Sequence, residues 1–190
     1  MRTSKVTFGM MLSLDGYIAG PEGGAGLPVP DEKLHRHFNE LQRRATVSLY
    51  GRRLYEVMRY WETADQNAES PEVELEFARL WQATPKVVVS TTLTSVGPNA
   101  RLVKGDLAGL VQELRKEPNA EIQVGGAALA ASLARLGLVD EFQLYFYPLV
   151  LGGGTPFFQA GLALELEPIG SETLSQGVVM LRYRPAGGTV

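Results

Sequence analysis

Residues 121–141 read Glu-Ile-Gln-Val-Gly-Gly-Ala-Ala-Leu-Ala-Ala-Ser-Leu-Ala-Arg-Leu-Gly-Leu-Val-Asp-Glu. The order imposes a strand, a diglycine turn, an Ala/Leu-rich helix, a glycine stop and a following strand. A helix placed between two strands in this way belongs to a layered α/β domain, where it crosses one face of a sheet. Gly125 and Gly126 carry no Cβ, so backbone can come close to a ligand there. A helix opening at Ala127 aims unpaired N–H groups and the positive end of its dipole at the same point. A tight strand-to-helix turn with no ligand accounts for the same residues, and a lone diglycine does not separate the two readings.

The rest of the chain repeats the alternation. Val6, Phe8 and Met10 recur with period two and run into Asp15-Gly16, which predicts a buried first strand rather than a signal peptide. Gly20 to Pro30 reads as a mobile loop, and Asp31 can cap a helix whose apolar face is Leu34, Phe38, Leu41 and Ala45. A strand over Thr46–Tyr50, a helix from Ser70-Pro71 through Trp81, and a β-branched strand over Lys86–Thr91 follow. Asp106 can cap a helix reaching Lys116, and Glu141–Leu149 is a further strand. Ala163–Ile169 and Val178–Tyr183 are two strands with no helix between them, so a mainly parallel sheet with an antiparallel C-terminal hairpin is expected.

At 190 residues one domain is expected, residues 1–190. A net charge of -3 without like-charge blocks argues against nucleic acid as partner, and the absence of cysteine excludes disulfides, thiolate nucleophiles and Cys-ligated zinc. It also fits a reducing cytoplasm. Phe142 to Leu151 is apolar but half the length of a membrane span. His35 and His37 lie two apart on a helix, point in nearly opposite directions and cannot share a metal; both read as partly exposed structural residues, and no metal is expected. No Gly-x-Ser-x-Gly elbow occurs, and Gly152-Gly153-Gly154-Thr155 lacks the lysine of a triphosphate-binding loop.

In open α/β sheets ligands bind beyond the carboxyl ends of strands. Those ends deliver Ser13-Leu14-Asp15-Gly16, Gly51-Arg52-Arg53, Ser90-Thr91-Thr92 and Gly125-Gly126. Glycines for close approach, hydroxyls as donors and guanidinium groups for paired phosphate oxygens suit a bound polyphosphate. Asp15 before a glycine equally suits a turn that bonds its own backbone.

These blocks, with Tyr50-Gly51-Arg52-Arg53-Leu54-Tyr55-Glu56, Val87-Val88-Val89-Ser90-Thr91-Thr92-Leu93, Leu138-Val139-Asp140-Glu141 and Pro148-Leu149-Val150-Leu151-Gly152-Gly153-Gly154-Thr155-Pro156-Phe157-Phe158, carry a resemblance that runs nearly end to end. The chain resembles the dihydrofolate reductase-like superfamily, and specifically the reductase domain of bifunctional riboflavin-biosynthesis deaminase-reductases. The resemblance implies a three-layer α/β sandwich and an NADPH-dependent oxidoreductase acting on a small heterocycle, most specifically 5-amino-6-(5-phosphoribosylamino)uracil. Dihydrofolate reduction and a non-catalytic cofactor- or ligand-binding role are the alternatives. It further implies that Gly51, Arg52 and Arg53 hold cofactor phosphates, that Ser90 and Thr91 meet the 2′-phosphate, and that Gly125, Gly126, Ala127 and Ala128 cradle the pyrophosphate. The segment from Asp15 to Pro30 matches a loop that closes over nicotinamide. Leu54, Ala127 and Ala130 stand where relatives carry threonine, glycine and, in some reductases, tyrosine. Asp15 matches the riboflavin-type block near substrate, and the early-helix acid of dihydrofolate reductases aligns with Asp31 or Glu32; capping suits Asp31, so Asp15 and Glu32 are the candidate catalytic residues. The absence of cysteine ligands implies a stand-alone reductase-like domain without the zinc deaminase. A homodimer through the late strands is also implied, with Phe142, Leu144, Phe146 and Leu149 as candidate apolar surface.

Overall fold

Alternating side chains make strand β1, Lys5–Ser13, two-faced: Val6, Phe8 and Leu12 are buried on one side, while Lys5, Thr7, Gly9 and Met11 look to the other. The computed structural model of the chain describes residues 4–23, 26–67 and 69–187. After β1 come β2 (Tyr17–Ala19), α1 (Glu32–Arg44), β3 (Val47–Gly51), α2 (Arg52–Met58), α3 (Glu72–Ala83), β4 (Lys86–Val89) and β5 (Ala100–Val103). Then follow α4 (Leu107–Leu114), β6 (Glu121–Gly125), α5 (Ala127–Arg135), β7 (Glu141–Tyr147), β8 (Thr155–Pro156), β9 (Leu166–Thr173) and β10 (Val179–Pro185). Among the described residues eight strands form one sheet in the order β5-β4-β3-β6-β1-β7-β10-β9, and β2 pairs with β8 apart from it. The strands from β5 to β7 are parallel, and β10 and β9 turn antiparallel at the end.

Helices cover both faces. Leu110 and Val111 of α4 and Leu129, Ala130 and Leu133 of α5 pack with Val6, Phe8, Leu49 and Ile122. On the other face Leu34 and Phe38 of α1 meet Tyr145, Tyr147 and Met180, and Phe77 and Trp81 of α3 meet Tyr50 and Val88. Local chemistry sets the helix ends. The Asp31 carboxylate accepts from Leu34 N at 2.8 Å and Asp106 from Gly109 N at 2.9 Å. At the far end of α3, Lys86 is buried, lies 4.1 Å over the Trp81 ring and donates to the carbonyls of Gln82 and Thr84.

The expected hairpin is present, shifted in sequence. Leu162, Leu164 and Leu166 keep an alternating inward face, but pairing with β10 begins only at Leu166, because register with the partner strand, not burial, decides where a ladder starts. The short strands β2, β5 and β8 were not expected; β5 is a half-exposed edge strand, where period-two patterning fades. His35 is buried, not partly exposed: its ring lies edge-on to Trp61 and Phe77, and its Nδ1 is 3.0 Å from Asn39 Oδ1. Of the expected dimer surface, Phe142 and Leu144 fill the core. Among the described residues no helix is long and apolar enough to cross a membrane. Of the Gly20–Pro30 segment, residues 24 and 25 lie outside the described residues.

Candidate functional site

A cleft of about 2070 Å³ opens where β3 and β6 end, beside β1 and under α1. Parallel pairing of β3 with β6 sets Tyr50 opposite Gly125, so the next residues meet: a Cβ at Gly126 would lie 3.6 Å from Gly51 N and 3.7 Å from Gly51 Cα. Gly125 is tighter, since a Cβ there would stand 2.5 Å from Leu54 Cδ2 and 2.6 Å from Tyr50 Cδ1. Gly126 has φ +103°, a conformation open to glycine. The first bond of α5 runs from Ala130 N to Gly126 O, which leaves the Ala127, Ala128 and Leu129 amides without helical acceptors at the cleft wall. Ala127 is buried and Ala128 exposed.

Arg52 and Arg53 follow β3 on the same rim. Arg52 is committed: its Nε donates to Glu56 at 2.9 Å and its Nη1 to Thr92 Oγ1 at 2.9 Å. Arg53 is exposed and makes no ion pair among the described residues, so its guanidinium is available to an anion. Ser90 accepts from the amides of Thr92 and Leu93 at 3.2 and 3.0 Å, fixing the turn after β4, and Thr91 is exposed on it. The structure thus brings Gly51, Arg52, Arg53 and Gly125 to Ala128 to one cleft; Ser90 and Thr91 do not line it, and the Arg52–Thr92 contact links only their turn to its rim.

The two candidate acids lie elsewhere. Asp15 receives the amides of Leu151 and Gly152 at 3.0 and 2.7 Å, tying the turn after β1 to the triglycine segment. The Ser13 hydroxyl and these amides hold its carboxyl below the ordinary range. An Asp15→Ala protein is expected to exchange the Leu151 and Gly152 amide hydrogens roughly tenfold faster; unchanged protection in a hydrogen-exchange experiment would remove the anchoring role. Glu32 pairs with Arg36 on the exposed face of α1, and Asp31 is occupied by its cap and by the Ser175 hydroxyl at 2.8 Å.

Beneath α1 the cleft has a polar floor that sequence reasoning missed. Glu141 is 1% exposed and accepts from Arg182 Nε at 2.8 Å, from Gln143 Nε2 at 2.7 Å and from Lys5 Nζ. Burial pushes its carboxyl up, but the bonds from Arg182, Lys5 and Gln143 outweigh that and bring its pKa to about 2. Gln143 also meets Tyr145 OH at 3.0 Å, and Tyr145 OH meets His37 Nε2 at 3.1 Å. The available signal was the period-two set Glu141, Gln143 and Tyr145 inside an otherwise apolar strand.

The family described as the RibD C-terminal domain matches residues 4–180. Among curated proteins, the uncharacterized protein YyaP of Bacillus subtilis strain 168 is 29% identical over 185 residues, 96% of each chain. Among solved structures, a protein from Shewanella sp. PV-4 provisionally named for riboflavin biosynthesis superposes with a TM-score of 0.73 at 24% identity, covering 96% of this chain and 99% of that one. The Thermotoga maritima diaminohydroxyphosphoribosylaminopyrimidine deaminase/5-amino-6-(5-phosphoribosylamino)uracil reductase gives 0.65 at 15% identity, over 97% of this chain and 57% of that one. Dihydrofolate reductase from Enterococcus faecalis, complexed with NADP(H) and RAB-propyl, gives 0.65 at 13% identity, over 97% and 98%.

Proposed function

Because the chain belongs to the RibD C-terminal domain family, we propose that it is an NADPH-dependent reductase of a small heterocyclic substrate, of the class of the 5-amino-6-(5-phosphoribosylamino)uracil reductases. The observation that carries this reading is the meeting of Gly51 and Gly126 at the adjacent ends of β3 and β6, under the opening amides of α5. A pyrophosphate fits a wall that offers backbone N–H groups and no Cβ. Arg53, without a carboxylate partner among the described residues, suits a terminal phosphate, while Thr92 and Glu56 fix Arg52 beside it. NADPH, when bound, supplies the hydride. The chain's own residues bind and orient: the α5 amides and Arg53 hold anionic groups, and Asp15 positions the triglycine segment against the turn after β1. Dihydrofolate reduction calls for a buried acid early in the first helix. Both carboxylates available there are turned to other partners, Asp31 to its cap and Glu32 to Arg36, which favours the aminouracil-type substrate.

Titration with NADPH, followed by thermal shift, tests the proposal, and absence of stabilisation would sink it. The Arg53→Ala protein is expected to lose about tenfold of its preference for NADPH over NADH. An unchanged ratio of the two dissociation constants would remove Arg53 from the phosphate site.

A further inference from the structure

The floor of the cleft has a polarity that can be derived atom by atom. An ionised carboxylate only accepts hydrogen bonds, and Glu141 is held ionised by Arg182 and Lys5. The group that Gln143 turns to Glu141 Oε1 at 2.7 Å is therefore its NH₂. Its carbonyl Oε1 is then the atom facing Tyr145, 3.0 Å away, and it too can only accept, so the Tyr145 hydroxyl donates to it. With its one proton spent, the phenol oxygen accepts from His37 Nε2 at 3.1 Å. Neutral imidazole has a single N–H, so Nδ1 carries the lone pair. Nδ1 has no hydrogen-bond partner among the described residues, and His37 is half-buried on the cleft wall, edge-on to Phe38 and Tyr145.

We infer that His37 is a substrate-positioning residue that offers its Nδ1 lone pair to an N–H or O–H donor of the heterocycle, in a tautomer set by Glu141 through Gln143 and Tyr145. This rests on the reductase reading of the cleft. The groups facing His37 are Tyr145 on β7, Glu172 on β9 and Arg44 on its own helix, with Arg182 on β10 lining the same cleft. Burial pushes the imidazole pKa below its ordinary value, with Glu172 opposing and Arg44 reinforcing, so the neutral acceptor form is present at neutral pH. Protonation would convert Nδ1 into a donor, so recognition of a donor-bearing ring is lost as pH falls through that pKa.

The chain has two histidines, which makes the tautomer directly readable by long-range proton–nitrogen NMR on ¹⁵N-labelled protein. The expected spectrum shows His37 almost wholly as the Nε2–H form, with that preference falling in Tyr145→Phe to the weaker Nε2–H bias of an unpartnered imidazole. Addition of 5-aminouracil to the NADPH-saturated protein is expected to shift Nδ1, whereas 1,3-dimethyluracil, which has no N–H, leaves it in place. His37→Gln, whose amide can donate to Tyr145 and offer its carbonyl to the cleft, should keep 5-aminouracil affinity within about threefold, and His37→Leu should lose about tenfold. An Nδ1–H tautomer in the parent protein, a preference unmoved by Tyr145→Phe, or an Nδ1 signal unmoved by millimolar 5-aminouracil overturns the inference. Failure of NADPH to bind is scored separately by thermal shift and strikes the reductase reading; the 5-aminouracil titration is then repeated without NADPH and judged by the same outcomes.

Discussion

Glu141→Ala is expected to lower the free energy of unfolding at pH 7 by about 3 kcal/mol, because it removes the common acceptor of three donors under α1. The value sits at the low end for a broken buried pair, since the Lys5 and Arg182 side chains are 38% and 37% exposed and can recover water. The same group gives a pH signature. Its pKa falls from 4.5 in the ordinary state to about 2 in the fold, so its contribution is complete above pH 4.5 and is lost as pH falls towards 2. The full linkage would be about 3 kcal/mol, and screening around the partly exposed cations reduces the expected pH-dependent part to about 2 kcal/mol. Urea unfolding at pH 7 and at pH 3 checks both statements. The parent protein should lose stability between those values more steeply than Glu141→Ala; identical acid limbs would show that the carboxylate is not held as described.

Elements that bury one face against a helix were legible in the sequence. Val6 and Phe8, the Leu34–Phe38–Leu41 stripe, and the Asp31 and Asp106 caps each state a local rule that the packing obeys. Edge elements were not: β5 and the β2–β8 pair are held by a partner distant in sequence, with little burial to pattern them. The candidate site divides in the same way. Glycines after β3 and β6 mark themselves, because a close approach of two strand ends demands a missing Cβ. The partners of Asp15 are amides 136 and 137 residues away, and nothing around Asp15-Gly16 announces them. In β7, Phe142 and Leu144 suggested apolar docking surface, although the intervening Glu141, Gln143 and Tyr145 form a polar face whose meaning depends on Lys5, His37 and Arg182 from three other elements.

Gly126→Val is expected to weaken NADPH binding by about 100-fold, on the reading that this turn holds the pyrophosphate. The residue sits at φ +103° and ψ 120°, which a β-branched side chain does not adopt, so the turn must rotate and carry the Ala127 and Ala128 amides away from their present direction. The added methyl groups would also crowd Gly51 and Leu54, whose nearest atoms already stand 3.6 to 3.8 Å from the first added carbon. Some affinity loss could arise merely from a weakened α5, and Gly137→Ala separates that cause. Gly137 ends the same helix at φ +66° with nothing within 4 Å of an added Cβ, so its substitution strains the backbone by about 1 kcal/mol without approaching the cleft. Calorimetric titration with NADPH should therefore show the loss in Gly126→Val and near-parental affinity in Gly137→Ala, while both melt at lower temperature. Equal affinity losses in the two proteins would mean that the helix's stability, and not the amides of its diglycine turn, governs the cofactor.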